Sequence, residues 1–327
     1  MTANPPDCPD QHNQSKKLYG TYPLRCMRLS LLTRRIIQMK YLSQSQIDEF
    51  DEKGYLFLRQ WIPVEFVDRV RKAAESALDL TIKNAKEGKI NTDSCVTWTN
   101  DEPYVGAIIH PHRYMYPASL GLLGSPWVLG IAESLCGKGT MTTYKALVVK
   151  NRGDGKEFTW HQDMVHDRTS RIVNISVFLS EASSTDDGLQ VVPGTQLKPQ
   201  KMAEAKKDAE ERAICLGAVP GDVTIHDVMT VHGSKALTQR ERRLVFTSEF
   251  RTREHIQNNS NFPAEWITAR EELQNLERRL YEQMESSADT DLDSPDDKAT
   301  EIIEKFCASY SRIEPGNYDT GHDMPHQ

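Results

Sequence analysis

The chain has no CxxC pair: its six cysteines, Cys8, Cys26, Cys95, Cys136, Cys215 and Cys307, are scattered along the 327 residues. Such spacing builds neither a zinc ribbon nor a disulfide framework, and it fits a reducing, cytoplasmic setting. No run approaches the roughly 20 apolar residues that a spanning helix needs, so no membrane span is expected. A basic excess is missing too. Forty Lys and Arg face 47 Asp and Glu, a net charge of -7, which argues against nucleic acid or an anionic membrane surface as a partner. The opening from Met1 to Gln14 lacks the charged start and apolar run of a secretory signal. One basic amphipathic stretch, Lys16 to Lys40, carries Arg25, Arg28, Arg34 and Arg35 beside Leu29, Leu31, Leu32, Ile36 and Ile37. That stretch leaves mitochondrial targeting as the alternative to the cytoplasm, and Asp7 and Asp10 count against it.

What is present is a globular composition, 38% hydrophobic and 27% charged, which excludes collagenous or wholly disordered readings. Residues 1–40 form an N-terminal extension. From Ser43 a polar helical stretch with Ile47 and Phe50 runs to Gly54, and Tyr55 to Leu58 reads as a strand. A helix then follows Pro63, with Phe66, Val67, Val70, Ala73, Ala74 and Leu78 at helical spacing. Between Ile90 and Gly139 the pattern predicts loops around Trp98, His110, His112, Arg113 and Tyr114, then an apolar helix from Pro126 to Leu135. From Met141 to Phe250 short β-branched runs alternate with turn signals. Strands are expected near 142–149, 157–162, 172–179, 189–193, 222–226, 229–233 and 243–250. That number of strands suits a two-sheet jelly roll, giving a mainly β core with flanking helices. Residues 41–262 are thus read as the catalytic domain. Residues 263–327 are read as a helical extension with Trp266, Leu273, Leu276, Leu280 and Met284 on one face, broken by an acidic segment from Ser286 to Asp297.

Within the β region lies Trp160-His161-Gln162-Asp163. Strand side chains alternate faces, so His161 and Asp163 point one way and Gln162 the other. His232, at the end of a later strand, supplies a third ligand if that strand returns beside the first. Two imidazoles and a carboxylate on one side of a cation make the facial triad of non-heme Fe(II) oxygenases, whose open positions take a co-substrate and dioxygen. An oxo-acid that chelates iron needs a cation for its distal carboxylate. Arg243, at the start of the next strand, has the planar fork for it, and Ser234 adds a hydroxyl on the His232 face. The arrangement describes a 2-oxoglutarate site.

These residues, with Tyr41-Leu42-Ser43 to Tyr55-Leu56, Asp187-Gly188-Leu189 to Pro193-Gly194-Thr195, and Pro220-Gly221-Asp222, resemble the phytanoyl-CoA dioxygenase family of Fe(II)- and 2-oxoglutarate-dependent oxygenases. The resemblance runs from about residue 41 to 253. It implies a double-stranded β-helix, or cupin-like jelly roll, with iron on His161, Asp163 and His232 and 2-oxoglutarate on Arg243. It also brings Tyr144 toward the co-substrate. Two departures stand out: Gln196 occupies a position where the family commonly has His, and Leu237 one where it often has Asn. The reaction implied is hydroxylation with release of succinate and carbon dioxide. Asp163 argues against the related halogenases, which lack that carboxylate.

For the substrate, Gln162, His112, Arg113, Asn174 and Lys145 are the candidate contacts, and their polarity suggests a small polar or charged metabolite. Lys145 adjoins Tyr144, so one of the two faces the pocket. His226 reads as a structural histidine of a buried strand. A barrel that binds metal or metabolite without turnover, as sensor or scaffold, is the competing class; the complete ligand set with Arg243 favours the enzyme. A zinc hydrolase is disfavoured by Arg243 and Ser234. The expected assembly is a monomer or homodimer, with the helical tail packing on its own barrel.

Overall fold

A computed structural model of the chain describes residues 39–89, 92–185, 187–286 and 294–310. The N-terminal stretch with its targeting reading, the middle of the acidic segment and the last residues lie outside the described residues. Ser43 caps the first helix, α1 (Gln44–Lys53), through a capping box: its hydroxyl accepts from the Gln46 amide, and the Gln46 side chain accepts from the Ser43 amide. Gly54 ends α1 at φ 79°, in the left-handed region. A Cβ at Gly54 would lie 2.6 Å from Thr230 Oγ1. Strand β1 (Tyr55–Leu58) and the amphipathic helix α2 (Val64–Lys86) follow.

The segment read as loops forms instead a hairpin, β2 (Ser94–Thr99) and β3 (Glu102–Ile108). Asn100 and Asp101 turn it at φ 52° and 62°, the left-handed pair that a two-residue hairpin turn requires. The Asn-Asp dipeptide was the available signal, obscured by Pro103 in β3 and by weak alternation. Helices α3 (Ala118–Leu123) and α4 (Pro126–Cys136) lead into the β region. Its strands are β4 (Met141–Asn151), β5 (Phe158–His161), β6 (Ile172–Phe178), β7 (Leu189–Val191), β8 (Ile214–Leu216), β9 (Val223–Asp227), β10 (His232–Ser234) and β11 (Arg242–Arg251), with helix α5 (Met202–Arg212) before β8. Within this β region, α5 and β8 lie outside the strands expected from the sequence. The expected strand at 229–233 begins only at His232, because Asp227 to Thr230 forms a tight turn closed by the Thr230 amide on the Asp227 carbonyl.

The strands assemble as two antiparallel sheets, one in the order β1-β9-β6-β11-β4-β3-β2 and one in the order β5-β10-β7-β8. This is the jelly roll expected from the turn spacing. Alternation divides the residues of the large sheet. Leu147 and Val149 of β4, Val173, Ile175 and Val177 of β6, Val223 and Ile225 of β9, and Leu244 and Phe246 of β11 form one core cluster with Phe66, Val70 and Leu78 of α2 and Ile131 and Leu135 of α4. The alternate positions carry a polar set, Asn174 and Ser176 of β6, Thr224 and His226 of β9, and Arg243, Thr247 and Glu249 of β11, with a small apolar cluster at Phe178 and Val245. Cross-strand register aligns them in rows, His226 opposite Asn174, Asn174 opposite Glu249, and Glu249 opposite Tyr144. A sheet apolar on its helix side and polar on its other side marks the second face as a place for ligands, since buried polar groups need partners.

After β11 come α6 (Arg253–Asn258), α7 (Ala264–Ser286) and α8 (Asp297–Tyr310). Leu273, Leu276 and Leu280 of α7 pack with Leu120 of α3, Met141 of β4 and Ile303 and Phe306 of α8, so the helical tail buries its apolar stripe within the chain. Close approach of α3 to α7 depends on Gly124, where a Cβ would fall 2.1 Å from the Glu277 carbonyl oxygen. Gly124→Ala must push the helices apart. A loss of about 1–3 kcal/mol in urea unfolding is expected, with little change in the slope of the transition.

Candidate metal centre

Strand pairing brings the three ligand candidates together. In the register of β10 with β5, His232 lies opposite His161, and Asp163 follows two residues later with its amide on the Val228 carbonyl. The imidazole centroids of His161 and His232 are 4.2 Å apart. Asp163 Oδ1 stands 3.4 Å from His161 Nε2 and 3.6 Å from His232 Nε2. One ligand atom from each of the three lies within 4.8 Å of the others, the one such group of three among the described residues.

The remaining polar atoms of the triad are already committed. His161 donates Nδ1–H to the Thr159 carbonyl at 2.7 Å, and His232 donates Nδ1–H to the Thr230 carbonyl at 2.9 Å. Each ring is thereby fixed in the tautomer whose Nε2 carries a free lone pair, the arrangement that metal-binding histidines use. Asp163 Oδ2 accepts from Asn174 Nδ2 at 2.7 Å and from His226 Nε2 at 3.1 Å, which leaves Oδ1 to face the two imidazoles. Three donor atoms aimed inward and three outer atoms held by hydrogen bonds fit a divalent cation of the first transition row.

The electrostatics agree with that geometry. Burial works to raise the Asp163 carboxyl, but His232, His161 and His226 outweigh it and hold the group well below the usual carboxylate range. Burial pushes His232 down to about 3. For His161 burial acts downward as well, yet its hydrogen bond to Asp163 prevails and its pKa is raised. At neutral pH the carboxylate is charged and the His232 ring neutral, as metal ligation requires.

Arg243 is the second residue of β11 and Ser234 closes β10; both are buried. The Arg243 guanidinium donates through Nη1 to the Asp187 carbonyl, while its buried Nε has no partner. Burial pulls its pKa down to about 10, so it stays cationic at neutral pH. Tyr144 lies on the same side of the large sheet as Arg243, because Glu249 faces Tyr144 and Arg243 faces Lys150 across β11 and β4.

The candidate substrate residues do not all reach this face. Lys145 pairs with Ser248 on the helix side of β4, and its ammonium sits 4.4 Å from the Phe306 ring centroid of α8. His112 is 1% exposed, with Nε2 3.3 Å from Cys307 Sγ of α8. Arg113 spans Cys307 Sγ and the Asp93 carboxylate. All three were expected over the pocket and instead anchor the C-terminal helix on the opposite side of the sheet, a long-range contact that local spacing does not report. Gln162 points away from the triad, as alternation demands, and its amide joins the Met229 and Lys198 carbonyls and the Gln200 amide. Its polar atoms hold loops together. Asn174 faces the site but is bound to Asp163. His226, read as structural, stands directly behind the same carboxylate; its place opposite Asn174 in the strand register was the signal.

The chain matches the family model described as phytanoyl-CoA dioxygenase (PhyH) over residues 50–244, more than half its length. No curated protein sequence matches it. Among solved structures it is similar to EvdMO1, at 24% identity and a TM-score of 0.55, over 64% of this chain and 50% of that one; it thus spans half the length of EvdMO1. It is also similar to EctD from S. alaskensis with bound Fe, at 20% identity and a TM-score of 0.55, over 68% of this chain and 82% of that one. A third likeness is to SnoK, a non-heme alpha ketoglutarate dependent carbocyclase from nogalamycin biosynthesis, at 20% identity and a TM-score of 0.53, over 64% and 84%. These likenesses share the jelly-roll fold, and the family model carries the assignment: the chain belongs to the phytanoyl-CoA dioxygenase family.

Proposed function

We propose that His161, Asp163 and His232 hold ferrous iron, that Arg243 with Ser234 receives the distal carboxylate of 2-oxoglutarate, and that the reaction hydroxylates an unactivated C–H bond of a small polar or charged metabolite. One observation carries the reading: two imidazole Nε2 atoms and one carboxylate oxygen face a common point while every other polar atom of the three groups is bound elsewhere. When bound there, iron supplies open coordination positions for an oxo-acid and dioxygen and the redox chemistry that couples them. The chain's own residues orient and exclude. Thr159 and Thr230 fix the two rings, and Asn174 and His226 fix the carboxylate. The apolar side of the large sheet, sealed by α2 and α4, keeps solvent from that flank. Arg243 offers a planar cationic fork matched to a carboxylate. The polar residues Asn174, Ser176, Thr224 and Thr247 on the inner face favour a polar substrate over a long hydrocarbon.

Succinate formation from 2-oxoglutarate in the absence of a prime substrate tests the reading. Wild-type protein with Fe(II) and dioxygen should release succinate slowly, and His161→Ala or His232→Ala should reduce it to background. Arg243→Met should chiefly raise the 2-oxoglutarate concentration required, by at least about tenfold. Wild-type protein that is folded, metal-loaded and silent would favour the sensor or scaffold class instead. Asn174→Ala provides a separate measurement on the carboxylate support: calorimetric affinity for Co(II) should fall by about 10- to 100-fold with the melting temperature little changed.

A further inference from the structure

Across the β4–β11 ladder, Arg243 is paired directly with Lys150. Cβ atoms at such positions are about 4.5–5.5 Å apart, and like charges placed there repel. Both side chains are buried, at 5% and 3% exposure. The carboxylate beside them, Asp187, favours both cations through space but hydrogen-bonds to neither: its Oδ1 accepts from the Ser183 amide at 2.9 Å and lies 3.5 Å from Arg240 Nη1. Arg243 Nε and Asp187 Oδ2 are buried without partners. The Lys150 ammonium donates to the carbonyls of Ser234, at 3.0 Å, and Lys235, and it stands 5.2 Å from the Phe158 ring centroid. It therefore ties β4 of the large sheet to β10 of the small one, two residues beyond His232. Two adjacent buried cations, neither of them hydrogen-bonded to the one buried carboxylate they share, form a place for an incoming anion.

We propose that Lys150 is a positioning residue for the co-substrate, a second cation beside Arg243, and that co-substrate binding is coupled to its protonation. The inference rests on the assignment of Arg243 above. Burial, and then Arg243, bring the Lys150 pKa down to about 7, while Asp187, Asp154 and Glu157 act upward. A carboxylate placed against the pair raises it again. The sign follows. Below pH 7 the ammonium is already protonated and affinity is at its highest. Above pH 7 binding must take up a proton, so affinity falls by up to about tenfold per pH unit until the pKa of the complex is reached.

Calorimetric titration of 2-oxoglutarate into protein loaded with Mn(II), a redox-silent stand-in, tests this between pH 6.5 and about 9 in buffers of different ionisation enthalpy. Wild-type protein should take up between about half a proton and one proton per co-substrate at pH 8 and weaken as pH rises. Lys150→Arg, charged throughout, should bind with no proton uptake and a flat pH profile. Lys150→Met should bind at least about tenfold more weakly at pH 7 and converge on wild type toward pH 9. Melting curves for both variants identify any that fail to fold, and the arginine variant then carries the test alone. Wild-type binding without proton uptake, or with a pH profile that Lys150→Arg shares, overturns the role of Lys150 and leaves the iron and Arg243 assignments standing. No wild-type binding at any pH overturns both.

Discussion

The pairing of β10 with β5 is the constraint on which the site depends. His232 and His161 come from distant parts of the chain, and the ladder between these short strands sets their rings side by side, tilted by 48°. A slip of one residue would turn His232 to the other side of the sheet. The register is held from several directions. Val231 donates its amide to Thr195 Oγ1 and its carbonyl accepts from the Val192 amide, while the Thr230 hydroxyl donates to the Gly54 carbonyl at 2.7 Å. Gly54 thus links the end of α1 to the turn that presents His232. Its bare α-carbon is required both for the left-handed turn and for that approach.

The large sheet divides stability from chemistry by alternation. Its odd-numbered β6 positions, Val173, Ile175 and Val177, are packed under helices, and the apolar area they remove from water supplies the fold's driving force. The even-numbered positions Asn174 and Ser176 face the site. Asn174 is hydrogen-bonded to Asp163, and Ser176 to Thr247. Toward the opposite end of the same face, buried Arg243 and Lys150 are paired across the ladder, with Asp187 near both but hydrogen-bonded through its side chain to neither. Two buried like charges set side by side are costly, and an anionic ligand placed against them would lower that cost.

Much of this was legible from residue order. The capping signal at Ser43, the proline before α2, the strand spacing from Met141 onward and the alternation in Trp160-His161-Gln162-Asp163 are local, and local physics decided them. The supporting residues were not legible in the same way. His226 and Lys150 gain their meaning from cross-strand neighbours, Asn174 and Arg243, which are set by register between strands far apart in sequence. The same limit explains the substrate candidates on the wrong side. His112, Arg113 and Lys145 are polar residues near the β region, but Cys307 and Phe306 of the last helix bury them against the back of the sheet. Polarity marked them correctly as residues needing partners; it did not say which partners the chain's end would bring.

On the function proposed above, the three convergent side chains and the cationic end of the inner face together bind iron and an oxo-acid. Anaerobic addition of Fe(II) and then 2-oxoglutarate, followed by visible absorption spectroscopy, measures this without any prime substrate. A weak charge-transfer band that saturates at one equivalent of each and is lost in His232→Ala is the predicted result. Folded wild-type protein that gives no band, or a band that survives the loss of His232, would contradict the account.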